Sequence, residues 1–131
     1  RFNAAFKPNR TSHDWLSKDN AEVDKYVLDP QCGFICSSQF FYYFFIGIKD
    51  CFLKENIAGI PSNIPVFAFA GDKDPVGLEG KGFMQLVHKW RQAGVNDFQY
   101  RLYENGRHEM MNEINRDEVL SDFATWIKNH L

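Results

Sequence analysis

The sequence predicts an α/β protein in which residues 1–60 form helices and residues 61–131 form a βαβα unit. Two segments carry this prediction. An unbroken apolar run over 64–70 stops at Gly71, a pattern typical of a buried parallel strand. Residues 98–103 alternate between apolar and polar side chains, which predicts a second strand. A helical pattern lies between them, and the order strand, helix, strand predicts parallel pairing with a right-handed crossover.

Two helices are predicted in the N-terminal half. Asn20 is placed to cap a short helix, which Asp29-Pro30 ends because a residue before proline avoids the α region. A longer helix is predicted over 38–55, since its apolar residues recur at helical spacing and form one stripe. The stripe consists of Phe41, Phe44, Phe45, Ile48 and Phe52.

Two further helices are predicted in the C-terminal half. The first runs from about Lys81 to Ala93, with Gly94 as its stop. The last is expected to begin at Asn115, where Glu118 would complete a capping box. Each helix should turn an apolar stripe towards the sheet. The stripes are Phe83, Leu86, Val87 and Trp90 in the first helix, and Val119, Leu120, Phe123, Trp126, Ile127 and Leu131 in the last.

The predicted sheet has two strands, which is too few for a stable parallel sheet. Two ways of completing it stay open: a second copy of the chain in a homo-oligomer, or association with an N-terminal half that precedes these residues. The chain starts at Arg1 rather than at a methionine, and we expect it to be the C-terminal piece of a longer protein.

Composition and charge exclude several classes of function. With 15 basic and 17 acidic residues, the chain lacks the basic surface of a nucleic-acid-binding protein. The longest apolar stretch, 40–48, is about half of what a bilayer crossing needs, so no transmembrane segment is predicted. Cys32, Cys36 and Cys51 lack paired CxxC spacing, which predicts free thiols in a reducing compartment, the cytoplasm. Aromatic residues make up 16% of the chain, an excess that either a large core or an apolar ligand would explain.

Polar clusters follow both predicted strands, at 71–77 and 105–110. In open α/β sheets, ligands bind outside the carboxyl ends of the strands. Because adjacent strands lie about 5 Å apart, Asp74 and His108 are expected to meet there. A carboxylate that accepts the Nδ1 proton of an imidazole fixes its tautomer and stabilises the imidazolium formed in base catalysis. Asp72 and Asp74 lack the further oxygen ligands of a calcium loop, so no metal is predicted.

The C-terminal half resembles α/β-hydrolases of the monoacylglycerol lipase and lysophospholipase type, grouped with the serine aminopeptidase S33-like hydrolases. The resemblance rests on residues 60–66, 71–77 and 103–110. It implies that Asp74 is the acid and His108 the base of a Ser-Asp-His triad, and it implies no metal or organic cofactor.

The N-terminal half is similar to the cap of the same family. Segments 11–17 and 24–34 resemble stretches inserted between the sixth and seventh strands of that fold. The resemblance therefore implies a partial α/β-hydrolase fold, with a helical cap over residues 1–60 and the C-terminal part of the core over 61–131.

The chain departs from the family at the nucleophile. That residue is the serine of a G-x-S-x-G elbow, and none of the six serines here has that context. The predicted function is therefore the C-terminal portion of a serine carboxylester hydrolase acting on acyl esters or lipids. Its serine would lie outside this chain, and the chain alone is expected to be inactive.

The aromatic helix has two interpretations. Its stripe would seal the helix onto the sheet, or Phe40, Tyr43 and Phe44 would line a channel for an acyl chain, where each buried methylene contributes about 0.8 kcal/mol. Two alternatives to an acyl-ester hydrolase also stay open. One is a peptidase or small-ester hydrolase on the same scaffold, because substrate choice depends on the pocket. The other is a non-catalytic ligand-binding or oligomerisation module that pairs through its open sheet edge.

Overall fold

The computed structural model describes residues 2–131 and arranges helices around one small sheet. Its elements are α1 (Asn20–Leu28), α2 (Ser38–Cys51), α3 (Lys54–Ala58), β1 (Val66–Gly71), α4 (Lys81–Gln92), β2 (Phe98–Tyr103) and α5 (Arg116–Lys128), with 3-10 helices at Phe2–Phe6 and Met110–Asn112. The strands β1 and β2 are parallel, with Val66 opposite Phe98 and Gly71 opposite Tyr103. The predicted βαβ unit is present, because α4 connects the two strands.

The cap of α1 lies one residue earlier than predicted. The carboxylate of Asp19, not the side chain of Asn20, accepts the backbone N–H of Ala21 (2.9 Å). The helix ends at Leu28, before Asp29, as the proline that follows requires.

The single helix predicted over 38–55 is wrong, since α2 ends at Cys51 and α3 begins at Lys54. Leu53 leaves the helical conformation between them, with ψ at 138°. The Asn56 side chain then donates to the carbonyl of Asp50 (2.7 Å), which satisfies a group that the break leaves without a helical partner.

The prediction that the stripe of α2 seals this helix onto the sheet is also wrong. No residue of α2 is buried, and Phe41, Phe44 and Phe45 are 44–61% exposed. The rings stack on each other along the helix instead, with 6.2 Å between the centroids of Phe41 and Phe45. The principal neighbour of α2 is the short helix α3 rather than the sheet.

The core lies between the sheet and helices α4 and α5. Two residues of the predicted α4 stripe, Phe83 and Val87, pack with Val95 and Phe98. In α5, Val119 is fully buried, as predicted. The burial predicted for Leu120, Ile127 and Leu131 is wrong, since all three side chains are exposed.

The capping box predicted for α5 does not form. Asn115 occupies the cap position, but its side-chain amide donates to the Glu118 carboxylate (3.0 Å), and no side chain caps a backbone N–H. The two residues therefore bond to each other and leave the first turn without the reciprocal backbone bonds.

Within residues 2–131 there is neither a disulfide nor a helix that could cross a membrane. Cys32, Cys36 and Cys51 are free thiols. Even the most apolar helix, α2, does not reach the length of a transmembrane segment.

Two glycines bring the ends of β1 and β2 together. A Cβ atom on Gly71 would lie 2.2 Å from the carbonyl carbon of Gly106, and one on Gly106 would lie 2.4 Å from the sulfur of Met110. Across the gap, the backbone N–H of Lys73 donates to the carbonyl of Gly106 (2.9 Å). The loops that follow the two strands thus meet backbone to backbone.

We expect Gly71→Ala to lower the free energy of unfolding by about 2 kcal/mol or more, because the added methyl group cannot fit without moving backbone. Gly47→Ala is the matched control, since a Cβ there meets no atom within 4 Å. The control should stabilise the exposed helix by about 0.5–1 kcal/mol. Urea denaturation of the chain measures both. Equal stability of Gly71→Ala and the native sequence would contradict the close approach.

Candidate active site

The polar cluster after β1 folds into a tight turn that buries Asp74. The backbone N–H of Asp74 donates to the carbonyl of Gly71 (3.2 Å), and the carbonyl of Asp74 accepts the backbone N–H of Glu79 (2.8 Å). The N–H of Val76 donates to the carboxylate atom Oδ1 (2.9 Å). Asp74 is 8% exposed. These bonds fix the carboxylate where the turn meets the loop after β2.

The loop after β2 carries His108 to the same edge of the sheet. Asn105 has a φ of 56°, a left-handed conformation that asparagine adopts more readily than most residues. His108 Nδ1 lies 3.1 Å from Asp74 Oδ1, so the predicted contact between these side chains is confirmed. The other ring nitrogen, Nε2, has no hydrogen-bond partner in the described chain, and the side chain is 36% exposed. Within the described residues, one nitrogen is therefore held by Asp74 while the other makes no hydrogen bond.

The two side chains shift each other's pKa in opposite directions. Burial raises the pKa of Asp74, but the hydrogen bonds from His108, Val76 and Gly77 outweigh it and leave that pKa below its ordinary value. The hydrogen bond to Asp74 raises the pKa of His108 despite the opposing effect of burial, and the charge of Glu109 adds to the rise. The pair therefore favours a carboxylate beside an imidazolium.

An N-terminal segment, residues 14–18, runs beside the His108 loop. The carbonyl of Trp15 accepts the backbone N–H of His108 (3.4 Å), and the carbonyl of Leu16 accepts that of Glu109 (2.8 Å). The Trp15 indole lies against the imidazole, with 5.0 Å between ring centroids. The N-terminal segment thus contacts both the backbone and the side chain of the candidate base.

A buried carboxylate joins this segment to the loop. Glu113 is fully buried and accepts hydrogen bonds from the backbone N–H groups of Lys18 (3.2 Å), Arg107 (2.9 Å) and Ile114 (3.1 Å). The Arg107 guanidinium donates to the carbonyl of Ser17 (3.0 Å). The sequence analysis missed these residues, because the contacts join positions 90 and 95 apart. The one signal in the sequence is that Arg107 directly precedes the candidate base, His108.

The three aromatic residues predicted to bind substrate lie on the exposed helix α2. Phe40 is 50% exposed, Tyr43 62% and Phe44 48%, and Phe40 stacks on Phe44 with 5.8 Å between centroids. The aromatic neighbour of His108 is Trp15, not a ring of α2. A contact between these rings and substrate stays a prediction.

A second histidine–aspartate contact, not predicted from sequence, lies at the other end of β2. His130 Nε2 is 3.1 Å from Asp97 Oδ2, and Asp97 directly precedes the strand. His130 Nδ1 faces the carbonyl of Trp126 at 2.7 Å. Both ring nitrogens are engaged, so neither is available to a substrate, in contrast to Nε2 of His108.

Asp72, the first acid of the D-x-D sequence, does not form a metal site with Asp74. Its Oδ2 atom pairs with Lys73 (3.3 Å), while Oδ1 is buried and has no hydrogen-bond partner among the described residues. Across residues 2–131, no three histidine, cysteine, aspartate or glutamate side chains converge as ligands for a metal ion.

An acid after one parallel strand and a histidine after the next, in that chain order, is the arrangement of α/β-hydrolases. The comparison with known families agrees, since residues 2–115 match the family described as "Serine aminopeptidase, S33". The chain belongs to this family. The predicted resemblance and the predicted fold class are both confirmed.

A solved structure supports the same class. The chain is similar to a highly thermostable carboxyl esterase from Bacillus coagulans, determined in complex with glycerol, with a TM-score of 0.86 at 28% sequence identity. The match covers 97% of this chain and 42% of the esterase, so the chain spans less than half of that protein's length. No curated protein sequence matches the chain. The chain thus shares the α/β-hydrolase fold of that esterase.

The opposite pKa shifts of Asp74 and His108 predict a pH window for the stability that the pair contributes. The lowered pKa of Asp74 adds stability above its unfolded value of about 4, which is lost as the pH falls. The raised pKa of His108 adds stability that is full below its unfolded value of about 6.5 and is lost as the pH rises through the folded value. Asp74→Asn should therefore destabilise the chain more at about pH 5.5 than at about pH 8.5.

Urea denaturation at the two pH values measures this difference. In a His108→Gln background, Asp74→Asn should lower the free energy of unfolding equally at both pH values, because the histidine that titrates is absent. A penalty for Asp74→Asn that is independent of pH in the native sequence would contradict the coupling.

Proposed function

We propose that the chain is the cap and C-terminal catalytic segment of a serine carboxylester hydrolase that acts on acyl esters, of the lysophospholipase or monoacylglycerol lipase kind. The observation that carries the proposal is the hydrogen bond between Asp74 and His108, which engages Nδ1 and leaves the other ring nitrogen, Nε2, for proton transfer. None of the chain's serines stands in a G-x-S-x-G elbow, so the nucleophile is assigned to a residue outside it.

The chemistry follows from the two nitrogens of His108. Nε2 takes the proton of the serine hydroxyl as its oxygen attacks the ester carbonyl, and then gives that proton to the leaving alcohol. Asp74 accepts the Nδ1–H hydrogen bond throughout, which fixes the tautomer and stabilises the imidazolium. Water then cleaves the acyl-enzyme through the same base.

Two observations support an ester with an apolar acyl group. The similar protein of known structure is a carboxyl esterase. A groove of about 440 Å³ also lies beside the Asp74 turn, and its mostly apolar lining includes Phe2, Pro75, Val76 and Leu78. An acyl chain in such a groove would be driven by the burial of its methylenes.

An aminopeptidase is the second candidate, because the description of the family names that activity. Both activities use the same acid and base, so the catalytic pair does not separate them. The two activities can be separated by comparing the turnover of long-chain esters with that of aminoacyl amides by the complete protein. A clear preference for amides would favour the second candidate.

In the complete protein, Asp74→Asn should lower kcat for an acyl ester by about 10⁴-fold, since the wrong tautomer of His108 is then held. His108→Ala should lower it at least as much. Two matched controls, Asp72→Asn and His88→Ala, change an acid and a histidine outside the pair and should leave kcat near the native value.

Ester hydrolysis at the native rate in either pair variant would contradict the assigned roles. The chain itself should not be labelled by a fluorophosphonate probe, because the reaction needs an activated serine. Stoichiometric labelling would mean that the nucleophile lies within residues 1–131.

If α2 lines the acyl channel, Phe44→Ser in the complete protein should reduce kcat/KM for long-chain esters by about tenfold and leave short-chain esters nearly unchanged. The reason is that only a long chain would reach the ring. Tyr42→Ser is the control, since Tyr42 is on the same exposed helix but outside the predicted set. Equal effects on both ester lengths would remove Phe44 from the substrate site.

A further inference from the structure

We infer that Trp15 is a positioning residue for His108, whose imidazole it holds through ring contact. This inference rests on the role of His108 as the base in the proposed function. It assigns a role in catalysis to a residue of the N-terminal half, far from the two strand ends in sequence.

The geometry of the contact carries the inference. The Trp15 and His108 rings are inclined by 40° with 5.0 Å between centroids, and the Trp15 carbonyl accepts the His108 N–H. Trp15 is itself held from two sides. Its backbone N–H donates to the Asn3 side chain (2.9 Å), and its ring contacts Phe2 at 5.1 Å.

Two restraints therefore act on one imidazole. Asp74 holds the Nδ1 edge, and the Trp15 ring restricts rotation of the imidazole, while Nε2 makes no hydrogen bond within the described residues. When His108 takes a proton, the π electrons of the indole also attract the imidazolium that forms. Trp15 would thus favour the protonated base that the reaction requires.

The charged groups around the imidazole do not duplicate this effect. Asp74 and Glu109 face His108 with negative charge. The neighbouring Arg107 guanidinium points to the carbonyl of Ser17 and lies 4.3 Å from the centre of the Phe6 ring. The uncharged ring against His108 is that of Trp15.

NMR titration of the His108 ring in the complete protein tests the inference. In Trp15→Leu, which keeps an apolar side chain against the ring but has no π electrons, the midpoint of the His108 titration should fall by about 0.4–0.7 pH unit. Trp15→Phe should retain most of the native value. In the complete protein, Trp15→Leu should lower kcat about two- to fivefold with little change in KM, and Trp15→Phe should restore it.

Fluorinated tryptophan at position 15 keeps the shape of the side chain, so it tests the ring contact even if Trp15→Leu does not fold. Tryptophan carrying one, two or three fluorine atoms weakens the π face, so the midpoint of His108 should fall stepwise with fluorine content. Trp126→Leu is the control, because Trp126 lies against His130 at 4.6 Å, and it should leave the titration of His108 unchanged.

A midpoint that stays native in Trp15→Leu and does not respond to fluorination would overturn the inference. So would a Trp15→Leu enzyme with native kcat. Failure of the proposed function looks different: His108→Ala would then keep its ester hydrolysis, while the titration of His108 in the complete protein would still report the contact with Trp15.

Discussion

The close approach of Gly71 and Gly106 is the constraint on which the candidate site depends. Parallel pairing alone brings the strands to about 4.8 Å, but the side chains that follow them diverge unless the loops are also joined. The absence of a Cβ at both positions permits this contact, and the bond from Lys73 to Gly106 locks it. Asp74 and His108 then meet at 3.1 Å although 34 positions separate them.

The N-terminal segment completes the site from outside the sheet. A fully buried carboxylate is costly unless hydrogen bonds satisfy it, and Glu113 meets this requirement with three backbone N–H groups drawn from both halves of the chain. Removing residues 14–18 would leave that charge undersatisfied and free the loop that carries His108. The same contacts therefore stabilise the N-terminal segment and fix the position of the base.

The sequence predicted what depends on local periodicity and failed where distant contacts decide. The strands, α4 and the meeting of Asp74 with His108 follow from patterns a few residues long and from the spacing of parallel strands. The exposure of α2 could not be foreseen, since a stripe of apolar residues does not reveal what covers it. Nor could the role of Glu113, because a glutamate in a polar loop is usually solvated. Both depend on tertiary contacts that no short window contains.

The two histidine–aspartate pairs show why such a pair alone does not define a catalytic site. Each combines an imidazole, a carboxylate at 3.1 Å and a tryptophan ring within about 5 Å. In the pair of His130, the carbonyl of Trp126 takes the second nitrogen, so the ring links α5 to the start of β2 and has no nitrogen left for proton transfer. In the pair of His108, the second nitrogen has no partner within residues 2–131, and it lies at the carboxyl ends of the strands, where α/β folds bind their ligands. A free Nε2, more than the carboxylate beside it, separates a base from a structural histidine.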